Sequence, residues 1–150
     1  DDLISPNLFL FSSVCLDNVA AASNRRLKEM LDGKLIPDRL NHEQNLILCE
    51  GEKMFLLAGC AHHGITAVMD RCREITGRSP DAALGGFHLS GPGTPGQFPE
   101  AALSALAARL RTHPAAYYTG HCTGPEATER LGEMLPGRIF RLAAGRTFEL

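Results

Sequence analysis

Three histidines occupy equivalent places in the sequence, and side chains of this type can hold a metal ion. His62, His88 and His121 each follow a short apolar run that ends in glycine. Neutral imidazole is the commonest metal ligand in proteins, and it suits zinc, iron and manganese. A bound divalent metal acidifies a water molecule and so produces a nucleophile near neutral pH. A single histidine at a strand end is more often a structural residue, so a metal site requires these histidines to converge.

The predicted secondary structure brings these histidines to one edge of a sheet. Strands are predicted over residues 53–59, 82–85 and 115–119, and helices over 62–78, 98–114 and 124–135. This alternation is typical of an α/β layer structure with parallel strands. The carboxyl ends of parallel strands share one edge, which is where open α/β sheets bind ligands.

The remaining segments give weaker signals. We predict a strand over 8–17, a short helix over 26–31 that ends at Gly33, a hairpin of strands 45–49 and 53–57, a turn-rich loop over 90–97, and a closing hairpin over 138–150 around "AAG". No internal repeat or low-complexity tract is present.

Four residues flank the histidines and are predicted to be substrate contacts or supporting residues of the site: His63, Cys60, Cys122 and Thr123. A thiolate beside a metal or a histidine can be a ligand or a nucleophile. Either cysteine can equally be a small packing residue, and we favour packing.

Two further histidines are assigned no role in the site. His113 ends a predicted helix and is interpreted as structural, because the carboxyl end of a helix favours positive charge. His42 is predicted to lie on the surface, while the neighbouring Glu43 is left unassigned.

Composition limits the classes of partner. The chain has 150 residues, a hydrophobic fraction of 44% and a formal net charge of −2, which fits one soluble domain. It has no basic block and no apolar run long enough to cross a bilayer, so we expect neither nucleic acid nor a membrane as partner. The five cysteines are an odd number and include no CxxC pair, which favours reduced thiols and a cytoplasmic protein. The start of the sequence does not resemble a secretion signal.

Several motifs together resemble the metallo-β-lactamase superfamily, in particular its dihydropterin-ribofuranosylaminobenzene phosphate synthase-like branch. The motifs are "HEQNLIL" (42–48), "LLAGCAHHGI" (56–65), "LGGFHL" (84–89), "YYTGHCTG" (117–124) and "RIFRLAAGRTFEL" (138–150). The resemblance implies an αββα sandwich with a dinuclear metal site, usually zinc and sometimes iron or manganese. It implies that His62 and His121 are metal ligands. His88 falls near the place where many members have a bridging aspartate, so it is either a ligand or a substrate contact.

The HxHxDH motif that supplies ligands to both metals in that superfamily does not occur in this sequence. The resemblance therefore implies that the chain is a single domain, residues 1–150, corresponding to the C-terminal half of the fold and holding an incomplete site. An N-terminal half carrying HxHxDH, in the same or a separate chain, would complete it. Without that half, the exposed sheet face could form a homodimer.

Three functions are compatible with these residues. The first is the C-terminal portion of a metal-dependent hydrolase, for which the resemblance implies a pterin or phosphorylated small molecule as substrate. The second is a non-catalytic half-domain that associates with a partner, and this is our expectation for the isolated chain. The third, a thiol hydrolase using Cys60 or Cys122 with a histidine, has the least support.

Overall fold

The computed structural model describes residues 1–17, 23–90 and 98–149. The strands of these residues are β1 (Asp2–Ser5), β2 (Leu8–Phe11), β3 (Lys28–Leu31), β4 (Lys34–Pro37), β5 (Asn45–Glu50), β6 (Lys53–Ala58), β7 (Ala82–Gly85), β8 (Ala116–Thr119) and β9 (Ile139–Arg141). The α-helices are α1 (Ile65–Thr76), α2 (Glu100–Leu110) and α3 (Pro125–Met134). Seven strands form one mixed sheet in the order β1-β2-β5-β6-β7-β8-β9, and β3 and β4 form a separate hairpin.

The helices form where apolar residues recur at helical spacing. α1 buries Ile65, Val68 and Cys72 on one side and ends at Gly77, whose φ of 78° is left-handed. Glycine adopts this conformation without a steric penalty, so it ends the helix here. α3 begins at Pro125, a position where the missing N–H of proline has no cost.

The predicted parallel arrangement is confirmed. β6 pairs with β7, β7 with β8, and β8 with β9, all in parallel. The predicted hairpin is also confirmed, since β5 and β6 pair antiparallel across a turn that contains Gly51. The ends of β6, β7 and β8 therefore lie along one edge of the sheet, and each of the three histidines follows one of these ends.

The two faces of the sheet differ. Because side chains alternate along a strand, one face presents Phe11, Ile47, Met54, Leu56, Ala83 and Tyr117, which pack with all three helices in one core. The opposite face, called here the second face, carries Leu46, Leu48, Phe55, Leu57 and Leu84, which are partly exposed. The helices thus cover one face and leave apolar side chains on the other.

The predicted helix over 26–31 is wrong. Residues of this segment enter β3, which pairs antiparallel with β4 across Asp32 and Gly33. Both turn residues have left-handed φ, 48° and 75°. Asp-Gly favours a tight hairpin turn of this kind, and this local signal outweighs a weak helical pattern. The predicted strand over 8–17 is too long, since β2 ends at Phe11.

The predicted closing hairpin is also wrong. β9 pairs in parallel with β8, and residues 142–149 form no strand. A turn does occur at "AAG", where the N–H of Arg146 donates to the carbonyl of Ala143. Beyond it, the ring of Phe148 packs against Tyr118 at a centroid distance of 4.8 Å, because Tyr118 offers an apolar surface on the second face.

The predicted loop over 90–97 lies, apart from Ser90, outside the described residues. None of the helices in the described ranges is long and apolar enough to span a bilayer.

Candidate metal centre

His62 and His88 are in contact at the carboxyl edge of the sheet. Their ring centroids are 4.2 Å apart and the rings are inclined by 64°. The ring of His42 lies 5.7 Å from that of His62. The side chain of His42 is 58% exposed, which agrees with its predicted surface position. The structure therefore brings two of the three predicted ligands together and places a third imidazole at their border.

A buried carboxylate fixes the turn that carries His62. The side chain of Glu43 is only 3% exposed. It accepts hydrogen bonds from the backbone N–H of His62 and, at 2.9 Å, from that of His63. It also pairs with Nδ1 of the His63 ring. Glu43 thus holds the turn at His62 and His63, and the predicted role of His63 beside the site stays a prediction.

This role of Glu43 is not evident from the sequence. A glutamate in "NHEQN" before a strand resembles solvated surface, and its partners lie about twenty residues away along the chain. Only the β5-β6 hairpin brings them together.

Two hydrogen bonds from the "GHCTG" segment hold the loop that carries His88. The N–H of Phe87 donates to Oγ1 of Thr123 at 2.9 Å. The N–H of Ser90 donates to the carbonyl of Cys122 at 2.7 Å. The backbone is therefore anchored on both sides of His88, and Thr123 is a positioning residue.

His121 lies beside two cysteines. Its Nδ1 is 3.8 Å from Sγ of Cys60, and Sγ of Cys122 donates to the carbonyl of Cys60 at 3.7 Å. Across the ranges that the structure describes, these three residues are the one group of three or more histidines, cysteines and carboxylates whose ligand atoms all lie within 4.8 Å of one another. Convergence of His62, His88 and His121 on a single ion stays a prediction.

The backbone at the three strand ends is strained. φ is 48° at His88, 51° at His121, and 50° at Ala61, which directly precedes His62. A left-handed conformation costs a residue with a Cβ atom about 1–2 kcal/mol. Such strain clusters at functional sites, where the side chain is needed in that position. The strain at His88 and His121 is therefore an argument for a functional site at the carboxyl ends of these strands.

Known proteins resemble this chain in fold and in sequence. No protein-family model matches the chain. A solved structure, Tm1679, described as a metal-dependent hydrolase of the β-lactamase superfamily, superposes with a TM-score of 0.76 over 98% of this chain and 55% of its own, at 21% identity.

The chain has a metallo-β-lactamase-type fold. A curated relative resembles it in sequence: the 7,8-dihydropterin-6-methyl-4-(β-D-ribofuranosyl)-aminobenzene-5′-phosphate synthase of Methanocaldococcus jannaschii, which is 27% identical over 121 residues. The match covers 80% of this chain and 40% of the relative. The resemblance to the metallo-β-lactamase superfamily and to the synthase-like branch is thereby confirmed, and the chain spans about half or less of each of these proteins.

The residues at the edge of this metallo-β-lactamase-type fold fit a metal ion. Nδ1 of His62 and Nδ1 of His88 are both buried and have no hydrogen-bond partner among the described residues. A buried polar atom without a partner costs about 1–3 kcal/mol, and a metal ion would remove this cost.

The charge state of these rings also suits metal binding. Burial lowers the pKa of His62, against the opposing effect of Glu43. Burial, followed by the neighbouring His62, lowers the pKa of His88. Both rings are therefore neutral near pH 7, which is the form that binds metal.

The other predicted roles have different outcomes. His113 is buried and hydrogen-bonded, in agreement with a structural role. Burial, and then Cys60, raises the pKa of Cys122 to about 12, so this thiol is protonated near neutral pH and is a poor nucleophile. The contact of Cys60 with His121 is compatible with a thiol hydrolase. The raised pKa of Cys122 argues against this residue as its nucleophile.

Proposed function

We propose that this chain is the C-terminal portion of a metal-dependent hydrolase with a metallo-β-lactamase-type fold, and that it supplies part of a dinuclear metal site. The observation that carries the proposal is the contact between His62 and His88, two neutral imidazoles whose buried Nδ1 atoms have no hydrogen-bond partner in the described ranges. His121, at the end of the adjacent strand, is the third proposed ligand.

The roles of the surrounding residues follow from their contacts. A divalent metal, zinc by preference and iron or manganese as alternatives, supplies an acidified water and polarises the bond under attack when bound. Glu43 and His63 hold the turn that presents His62. Thr123 holds the loop that presents His88. Such supporting contacts keep ligand side chains in the orientation that the metal requires.

We propose that the remaining ligands come from a second half of the fold, in the same or a separate polypeptide, which packs on the second face of the sheet. Support comes from the exposed apolar residues of that face, including Leu57 at 36% exposure, and from the greater length of both similar proteins. A homodimer through this face is the competing arrangement.

The substrate class rests on sequence similarity. The relative from M. jannaschii is named for the synthesis of a phosphorylated pterin compound. We infer that a small phosphorylated molecule, with pterins included, is the substrate here.

The test uses the natural full-length protein that contains these residues. It is depleted with a chelator, reloaded with zinc, iron or manganese, and assayed against chromogenic phosphoesters, amides and lactones. We expect metal-dependent hydrolysis that falls at least roughly 100-fold in His62→Ala and in His121→Ala, whereas His113→Gln keeps its activity at temperatures where it is folded.

One alternative remains specific enough to test, namely a non-catalytic half-domain that associates with a partner. It predicts a folded protein that hydrolyses none of these compounds with any of the metals. Such a result would reject the hydrolase proposal, and so would hydrolysis that stays at the wild-type rate in His62→Ala and His121→Ala.

A further inference from the structure

Cys60, His121 and Cys122 form a compact group of side chains that can bind metal ions. These residues come from the ends of two neighbouring strands, β6 and β8. All their ligand atoms lie within 4.8 Å of one another, and the distance from Cys60 Sγ to His121 Nδ1 is 3.8 Å. The three side chains are therefore close enough together to bind one ion.

These distances are close to those of a tetrahedral zinc site. With a Zn–S bond of about 2.3 Å and a Zn–N bond of about 2.0–2.1 Å, the sulfur and nitrogen ligands of one ion are about 3.6 Å apart. The gap between Cys60 and His121 exceeds this by a few tenths of an ångström, so small side-chain rotations would close it. Three protein ligands also leave a fourth position open, as in catalytic zinc sites.

The backbone around the group leaves room for these sulfur atoms. A Cβ atom added at Gly86 would lie 2.4 Å from Sγ of Cys122, so a side chain there would displace the thiol. An open cleft of ≈ 330 Å³ adjoins the group and is lined by Gly59, Cys60, Gly85, Gly86, Gly120, His121 and Leu142. A small ligand could therefore reach the open position.

We propose that Cys60, His121 and Cys122 form a thiolate-rich metal position, selective for a soft divalent cation such as Zn²⁺, beside the His62–His88 pair. This inference deepens the proposed function, on which it rests, by assigning His121 and two thiols to one of the two metals. Thiolate ligands favour zinc over magnesium, calcium and manganese, so this position determines which metal the protein holds.

Binding at this position releases protons in a fixed number. A thiol that becomes a thiolate ligand transfers its proton to solvent as its sulfur forms a bond to the metal, whereas an imidazole binds through the lone pair of an unprotonated ring nitrogen. One Zn²⁺ bound to two thiolates and one imidazole therefore releases two protons, and no oxidant or reductant is needed.

The test is titration of the reduced, metal-free natural protein with Co²⁺, in the presence of a phosphine reductant that keeps the thiols free. Thiolate bound to Co²⁺ gives a charge-transfer absorption in the near ultraviolet, which imidazole and carboxylate ligands do not give. We expect this band in the wild type and its loss in Cys60→Ser and Cys122→Ser. The Co²⁺ affinity of both variants should fall at least roughly 100-fold, which is more than the loss expected when a residue only supports a ligand. Cys15→Ser, at an exposed cysteine, should keep the band.

A second pair of variants leaves every ligand atom in place. Gly86→Ala should weaken the band because its methyl group displaces Cys122. Gly59→Ala adds a methyl group next to Cys60 that meets no atom within 4 Å, and it should keep the band.

The results separate this inference from the proposed function. Cobalt binding that depends on His62 but gives no charge-transfer band would overturn the thiolate position and leave the proposed function standing. A band that survives in Cys60→Ser and Cys122→Ser would also overturn it. Absence of cobalt binding to the folded natural protein would overturn both.

Discussion

Two histidine sites, one buried and one half-buried, lie at opposite ends of the parallel strands. They differ in whether the ring nitrogens have hydrogen-bond partners. At the amino-terminal end, His113 is 1% exposed, its Nδ1 lies 3.0 Å from Oγ of Ser79, and its Nε2 lies 3.3 Å from Asp70. At the carboxyl end, His62 and His88 each have a buried Nδ1 without a partner in the described ranges.

This difference distinguishes a structural histidine from the proposed ligands. Desolvation lowers the pKa at all three residues, so burial alone does not distinguish the sites. A ring with a hydrogen bond on both nitrogens has no lone pair left for a metal, whereas an unpaired buried nitrogen is costly unless it binds something.

The largest expected effect is on stability at the satisfied site. His113→Ala should lower the free energy of unfolding by about 2–4 kcal/mol, because it opens a cavity, removes the ring that Ser79 contacts, and takes one of several partners from Asp70. His88→Ala should lower the free energy of unfolding by less, since it removes a buried Nδ1 atom that has no hydrogen-bond partner in the described ranges. Urea denaturation of the metal-free proteins measures both, and equal losses would contradict the distinction between the sites.

The next effect concerns the support of His62. Glu43→Gln keeps the size of the side chain but weakens its hold on the two backbone N–H groups and on His63. We expect metal affinity to fall about 10–100-fold, as measured by competition with a metal-binding dye. Glu50→Gln, at an exposed glutamate that ends β5, is the control, and a comparable loss there would mean that Glu43 has no specific role.

A pH dependence should arise at the satisfied site. Burial lowers the pKa of His113 below 6.5, Asp70 raises it, and Arg73, Arg109 and Arg138 lower it. The unfolded chain therefore binds this proton more readily, so the contribution of His113 to stability is full above about pH 6.5 and is lost as the pH falls towards the folded-state pKa.

The slope from this one group is at most about 1.4 kcal/mol per pH unit. Urea denaturation of metal-free protein between about pH 7.5 and about pH 5.5 should show a smaller decrease in His113→Gln than in the wild type. An unchanged slope in this variant would exclude His113 as a source of the pH dependence.

The smallest effect concerns backbone strain at the unsatisfied site. His88→Gly and His88→Ala both remove the imidazole, but glycine also relieves the left-handed φ of 48°. We expect the glycine variant to be more stable than the alanine variant by about 1 kcal/mol. His42, which is not among the residues with positive φ, should show the opposite order, and the same order at both positions would argue against strain.

The sequence predicted those features that depend on local pattern and chain order. The helical spacing around Val68, the turn at Gly51 and the proline at the start of α3 each specify their element locally. Alternation of strands and helices then predicted the parallel sheet, and with it the common edge that carries the three histidines.

The rest depends on contacts between distant residues. Burial of Glu43 under His62 and His63, and the meeting of Cys60 with His121 and Cys122, arise only after the strands have paired. The end of the chain was mispredicted for a related reason. Phe148 packs across the sheet onto Tyr118, a contact that a local hairpin pattern does not reveal.

The most direct test of the central claim is metal content by elemental analysis of the natural protein, purified without chelator, in four forms: wild type, His62→Ala, His88→Ala and His113→Gln. We expect bound zinc, iron or manganese in the wild type and in His113→Gln, and a marked loss in the His62 and His88 variants. Folded wild-type protein without metal, or full metal content in both of those variants, would contradict it.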